Sequence, residues 1–147
     1  MLFVALAGAG LAAYGELASH AALREKEAEL LFRGEQYRDA IASYYKKEQR
    51  YPAKLADLLE DKRYPMPVRH LRRLYKDPIT GGDWAVVEVP GGGGVMGVFS
   101  PSDEVPVKTG NFSVTNQLFT DKRKYEDWKF VHSPPGLSPG VDKSAPK

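Results

Sequence analysis

Residues 1–48 read MLFVALAGAGLAAYGELASHAALREKEAELLFRGEQYRDAIASYYKKE, and the change of character along this stretch decides the fold. Met1 to Tyr14 carries no charge and no strongly polar side chain. The apolar character continues to about Leu23, interrupted by Glu16, Ser19 and His20. A membrane span needs about 20 apolar residues, and here roughly 14 are clean, with a mixed turn or two after them. Three readings fit the segment: a secretory signal peptide cut near Ser19, a buried core helix, or a membrane helix that starts upstream of Met1. No basic region precedes the run, which counts against the signal peptide. Ala5, Gly8, Ala9, Ala12 and Ala13 are small enough for close helix–helix approach in a membrane.

The adjoining segment favours the membrane helix. From Ala21 to Lys47 there is no Pro, and Gly34 is the one Gly. Leu23, Leu30, Tyr37 and Tyr44 recur every seven residues, and Leu31, Ile41 and Tyr45 fill the same face. That is the stripe of an amphipathic helix. Its other positions mix acids (Glu25, Glu27, Glu29, Glu35, Asp39, Glu48) with bases (Arg24, Lys26, Arg33, Arg38, Lys46, Lys47), as a solvated face does. Only Gly15 weakens the join between the two halves. The reading is one helix from near residue 2 to near residue 49, about 70 Å long at 1.5 Å per residue. A small head cannot bury all of it.

The remaining chain reads as a small head. The full sequence has 147 residues, a net charge of +2, no Cys, 14 Gly and 11 Pro. The length allows one domain. The near-neutral charge does not suggest a polyanion binder. The lack of Cys excludes disulfides, a thiol nucleophile and Cys-ligated metal. Gln49-Arg50-Tyr51-Pro52 should end the long helix. Ala53–Glu60 is expected to form a short helix with Leu55, Leu58 and Leu59 inward, and Val68–Tyr75 a further turn or two with Leu71, Leu74 and Tyr75 inward. Asp77–Gly82 is a turn. Trp84–Val89 and Val95–Ser100 read as strands of a hairpin closed by Pro90–Gly94. Glu104–Lys108 is a candidate third strand, and Asp127–His132 a last strand or packed extended segment. Asn111–Tyr125 is ambiguous. Trp84, Phe99, Phe112, Trp128 and Phe130 are expected in the core. The predicted class is α+β, a long helix against a small antiparallel sheet, divided into a helix segment 1–23, a head 24–132 and a disordered tail 133–147.

These residues, in this order, resemble the type IV pilin-like proteins, most closely the major pseudopilin of type II secretion systems. The resemblance rests on Ala40-Ile41-Ala42-Ser43-Tyr44-Tyr45 at the helix end, then Arg50-Tyr51-Pro52, Leu55 and Asp57-Leu58-Leu59. Leu74-Tyr75-Lys76-Asp77-Pro78 with Thr80-Gly81 and Trp84 looks like the family's turn into the first strand, and Gly97-Val98-Phe99-Ser100 like the end of its second. Arg24–Gln36 also looks like a subset of these secretion proteins. The match spans roughly residues 1 to 112. It implies a non-enzymatic filament subunit, held by one span in the inner membrane of a Gram-negative bacterium with its head in the periplasm. Its implied partners are its own copies, related pilin-like subunits and an inner-membrane assembly platform. Leu2, Phe3, Leu6, Leu11 and Glu16 would lie in the membrane and filament-core helix. Leu30, Tyr37, Ile41 and Tyr44 would hold the head on the helix. Three departures stand out. The family's basic leader and Gly-Phe-Thr cut site are absent, Glu16 lies deeper than the family's helix carboxylate, and Ser100–Asn111 has only Asp103 and Glu104 where relatives hold calcium. A hard cation wants six to eight oxygens, so no calcium site is expected.

No catalytic, metal or cofactor site is expected. His20, His70 and His132 are dispersed, with no second ligand at suitable spacing inside their own elements. Pro90–Gly94 is Gly-rich but joins two strands, whereas a phosphate cradle leads into a helix. The most basic stretch, Lys62–Lys76, holds Lys62, Arg63, Arg69, Arg72, Arg73 and Lys76 with no acid. Its expected use is solvent or subunit contact, against acids such as Glu25, Glu27 and Glu29 of a neighbour, with nucleic acid as a lesser alternative. Two other functions stay open at this point: a periplasmic binding module released by signal cleavage near Ala21, and a DNA-binding minor pilin.

Overall fold

The computed structural model describes residues 2–136, with side chains from Ala13 onward. Helix α1 runs unbroken over Leu2–Glu48, through Gly15 and Gly34. It ends where Gln49 turns to a φ of 57° and its N–H donates to the Tyr45 carbonyl at 2.7 Å. This is a left-handed cap, and Pro52 follows as a stop. Lys46 and Lys47 lie in the last turn, where cations suit the helix dipole.

The stripe packs as its spacing predicts. Leu30, Tyr37, Ala40, Ile41 and Tyr44 are buried, with Leu23 and Leu31 half-buried beside them. Against the stripe lies an antiparallel sheet in the order β1 (Ala85–Glu88), β2 (Val95–Phe99), β3 (Phe130–Val131). Val86 pairs with Val98, and Val98 with Phe130, with a bulge at Val87/Glu88. The β1–β2 hairpin closes through the glycine loop. Val89 N–H donates to the Gly94 carbonyl, and Gly91, Gly92 and Gly94 all take positive φ. Gly94 could not carry a side chain there, because a Cβ would lie 2.5 Å from the Pro52 carbonyl.

The core is aromatic. The Trp128 ring stacks on Phe119 at 5.5 Å and meets Phe112 and Tyr125 edge-on. Trp84, Phe112, Trp128 and Phe130 are buried as expected, and Phe99 is half-buried. Phe130 reaches the helix at Gly34, where a Cβ would collide with the ring.

Several expected elements differ. Glu104–Lys108 is not a strand; the Val107 and Lys108 amides go to a side chain of α1 and the Glu104 amide to the Ser102 hydroxyl, none to the sheet. Val68–Tyr75 forms no helical turn. His70 and Leu71 N–H both donate to the Leu58 carbonyl, and Asp61 bridges Val68, so the segment is extended. Extended backbone turns Leu74 outward, while Leu71 remains buried. The short helix is a 3-10 turn at Leu55–Leu58, with Leu58 buried and Leu55 and Leu59 at its edge. The ambiguous Asn111–Tyr125 contains a 3-10 turn at Val114–Phe119, and Tyr125–Asp127 makes another. The last strand shrinks to two residues. The expected tail begins at Ser133; Ser133 and Pro134 are half-buried against the head, and residues 137–147 lie outside the described set.

Gly34 should therefore resist substitution although it sits inside a helix. Gly34→Val must displace the buried Phe130 ring, an overpacking cost of about 1–3 kcal/mol. Thermal melts followed by circular dichroism should show a midpoint several degrees lower. An unchanged or raised midpoint would mean that the ring is not held against the helix.

Candidate functional site

Three buried acids hang irregular chain onto the helix and the sheet. The first is Glu27, which falls on the stripe one turn before Leu30. Its carboxylate accepts from the Val107 and Lys108 amides and from the Tyr125 hydroxyl, the last at 2.7 Å. These bonds satisfy an otherwise costly buried charge. Burial, and then the bond to Glu27, push the Tyr125 hydroxyl far above the ordinary tyrosine range. Glu27 thus belongs to the head's own fold and is not free to meet a neighbour's arginine.

The second is Asp61, fully buried. Arg63 grips it through Nε at 2.8 Å and Nη2 at 2.7 Å, and His70 Nε2 lies 3.0 Å from its Oδ2. The Arg63 guanidinium also stacks on the Tyr44 ring at 3.7 Å and donates to the Tyr44 carbonyl. The bond from Arg63 holds the Asp61 carboxyl well below the usual carboxylate range, and burial only partly opposes it. The third, Asp77, accepts from the Ile79 amide, the Thr80 hydroxyl and the Ser100 hydroxyl, locking the 77–82 turn to the end of β2.

One side of the second site has the composition of a hydrolytic relay. Ser43 Oγ lies 2.8 Å from His70 Nδ1, whose opposite nitrogen faces Asp61. A hydroxyl, an imidazole and a carboxylate in a row can activate a serine when donors await the oxyanion. Here the amides around Ser43 are spent on the α1 ladder, and Arg63 shares the carboxylate. The row works as a clamp, fastening the 61–70 segment to the helix. Sequence spacing could not show it, because Ser43 stands on the helix while Asp61 and His70 stand at the two ends of an irregular segment. Glu27 reads in the sequence as one acid of the solvated face, and its burial rests on donors eighty or more residues away.

The expected helix-to-head residues are all in place. Leu30, Tyr37, Ile41 and Tyr44 are buried, and the Tyr37 hydroxyl donates to the Tyr75 carbonyl at 2.9 Å. Burial pushes that hydroxyl up to about 12. Of the basic stretch, Arg63 is spent on Asp61 and Lys76 pairs with Asp83. Arg69, Arg72 and Arg73 stay exposed, with Arg73 over the Tyr75 ring.

The helix outruns the head. Every residue from Ala13 to Ala22 is exposed, including Tyr14 at 73% and Leu17 at 71%. Glu16, Ser19 and His20 stand on this free stretch, and the first full burial on α1 comes at Glu27. The side chains of Leu2, Phe3, Leu6 and Leu11 lie outside the described set. Among the described residues, no helix is long and apolar enough to cross a membrane, and no group of three or more His, Cys, Asp or Glu side chains is placed to hold a metal. No family model, curated protein or solved structure matches the chain.

The Asp61 clamp has a pH signature. Its folded carboxyl is more acidic than the unfolded one, which titrates near about 3.9. Its contribution is therefore fully present above that pH and fades as pH falls below it. Asp61→Asn should cost about 2 kcal/mol at pH 7, because it removes the buried carboxylate that Arg63 and His70 share and leaves Arg63 only its longer contact to Glu48 and its bond to the Tyr44 carbonyl. Between pH 5 and 2 the variant should lose less further stability than the parent does. Parallel pH profiles in urea titrations would show that Asp61 is not the group responsible.

Proposed function

We propose that this chain is a structural subunit, without enzymatic activity, of a type II secretion pseudopilus or a related type IV pilus-like filament. Its N-terminal helix would anchor it in the inner membrane, leave the head in the periplasm, and then form the filament core with other copies. Partner subunits and an inner-membrane assembly platform complete this reading, and protein secretion across the outer membrane is the process it would serve.

The observation that carries it is the unshared length of α1. The head covers the helix from Glu27 to its end, and the stretch before that presents Tyr14 and Leu17 with nothing of its own chain upon them. Ahead of it lies the uncharged run of residues 1–12. Apolar surface of this extent is buried by lipid or by neighbouring subunits. Support also comes from the order of motifs. The Tyr51-Pro52 connector, the Asp77-Pro78 turn and the strand ending at Ser100 occupy successive places behind one long helix, as in pilin-like heads.

The exposed trio Arg69, Arg72 and Arg73 suits a subunit contact better than a nucleic-acid groove. Of the bases expected there, Arg63 is held inside the head on Asp61 and Lys76 is paired with Asp83 at its surface. Few free cations leave little counterion release to drive polyanion binding.

Two measurements on protein from host-cell membranes test the proposal. Intact mass with N-terminal sequencing should find the segment 2–23 retained on membrane-held protein. Electron microscopy should show filaments that carry the chain, lost when Leu11→Glu puts a charge into the apolar run. A mature start near Ala21 in the soluble fraction would replace the filament reading with a released periplasmic module.

A further inference from the structure

Beyond the filament reading, and without resting on it, we infer that two copies of this chain pair in parallel along the back of α1, over Tyr14–Phe32. The pairing surface is a second stripe on the helix. Tyr14, Ala18, Ala21, Glu25, Ala28 and Phe32 recur at alternating steps of four and three residues, and all six are exposed. The spacing is that of the inner positions of a heptad repeat, and every residue but Glu25 is apolar. Upstream, the same spacing runs on in the sequence through Leu11, Ala7 and Val4. It stops after Phe32, because Glu35 and Asp39 hold the next two places.

This stripe is not the one that holds the head. Ala28 and Leu30 stand two residues apart, which sets them about 160° apart around the axis. Leu30 is buried under the head, whereas Ala28 is exposed. The head therefore leaves the back of the helix open even where it covers the front. Phe32 lies between buried Leu30 and Gly34 in the chain and is still 54% exposed. Tyr14, at the other end of the stripe, is about 27 Å away. Between them, Ala18, Ala21 and Ala28 are small enough for two helix backbones to approach closely.

The charges beside the stripe select the occupant. Arg24 borders it on one side and Glu29 on the other, five residues further along. In a parallel, in-register pair of helices these are the flanking positions that meet, so Arg24 of each copy faces Glu29 of the other. Arg24 is exposed, and Lys108 lines the same hollow, so that flank is cationic. Glu29 holds Arg33 of its own chain through Oε2 at 3.0 Å, which leaves Oε1 for the arginine of the second copy. An antiparallel pair would set each flank against its own kind and lose this match. Glu25 is the one charge on the stripe itself. A single polar residue at such a place fixes register at a cost in stability, and the Arg24 of the other copy stands beside it. A second copy supplies the same period, the same length and the opposite flank by identity.

The chain has no Cys, so introduced thiols report without background. Full-length chain carrying Ala28→Cys, on the stripe, or Lys26→Cys, exposed but off it, is expressed in host cells and oxidised. Ala28→Cys should give several-fold more disulfide dimer than Lys26→Cys. Adding Arg24→Glu to the Ala28→Cys chain should remove most of that dimer, and so should adding Glu29→Arg. The two reversals together should restore it, a rescue that a folding defect does not give. Glu25→Leu should raise the yield. All five sites are exposed, so the melting midpoints should hold. Equal dimer yields at 26 and 28, or no rescue by the double reversal, overturn the pairing. A strong 28–28 dimer in cells that form no filaments supports the pairing and strikes the filament reading, and filaments without that dimer do the reverse.

Discussion

The approach of Phe130 to α1 at Gly34 is the contact on which the head depends. A ring seated directly on helix backbone fixes β3 beside the helix, and β3 fixes β2 through the pairing of Val98 with Phe130. β1 then follows by its hairpin, and the hairpin's return at Gly94 and Val95 rests on the Pro52 carbonyl, where the connector leaves the helix. The packing closes on itself from that one glycine. It also explains why a residue with poor helix propensity occupies the middle of the longest element. The local cost is about 1 kcal/mol, and the aromatic contact it permits offsets this.

The head contains little regular structure, and polar anchors replace it. The sheet supplies two short strands and a two-residue third. Long segments on either side, 59–83 and 100–128, would be left with many unpaired amides if they had to rely on strands. Glu27, Asp61 and Asp77 each accept several donors from such segments, as carboxylates do well. Arg33, Arg38 and the Tyr37 hydroxyl do the reverse, donating from the helix to carbonyls on either flank. The helix is therefore a polar scaffold along its flanks as well as an apolar one along its stripe.

The helix, the hairpin and most of the core were legible in the sequence because they rest on periodicity. Seven-residue spacing of Leu30, Tyr37 and Tyr44 has one structural meaning, and the glycine loop between two β-branched runs has another. The parts that were not legible rest on long-range side-chain bonding. Glu104–Lys108 alternates well enough for a strand, but the amides of Val107 and Lys108 are claimed by a carboxylate eighty residues earlier. Val68–Tyr75 has helical spacing, yet the Leu58 carbonyl draws its first amides into an extended path. The same limit applied to the basic stretch. Composition showed six bases from Lys62 to Lys76, whereas Asp61 draws Arg63 into the head and the others stay on the surface, Lys76 paired there with Asp83.

The bonds between head and helix are spread along the axis, from Glu27 past Arg33, Tyr37 and Arg38 to Ser43 and Tyr44. They cover about 25 Å of the helix. A pull along α1 against a held head would load these links side by side, as a lap joint is loaded, and not one after another as in peeling. Such a joint yields only when most of its links give way at once. The helix can therefore transmit an axial push or pull to its head without first stripping it away.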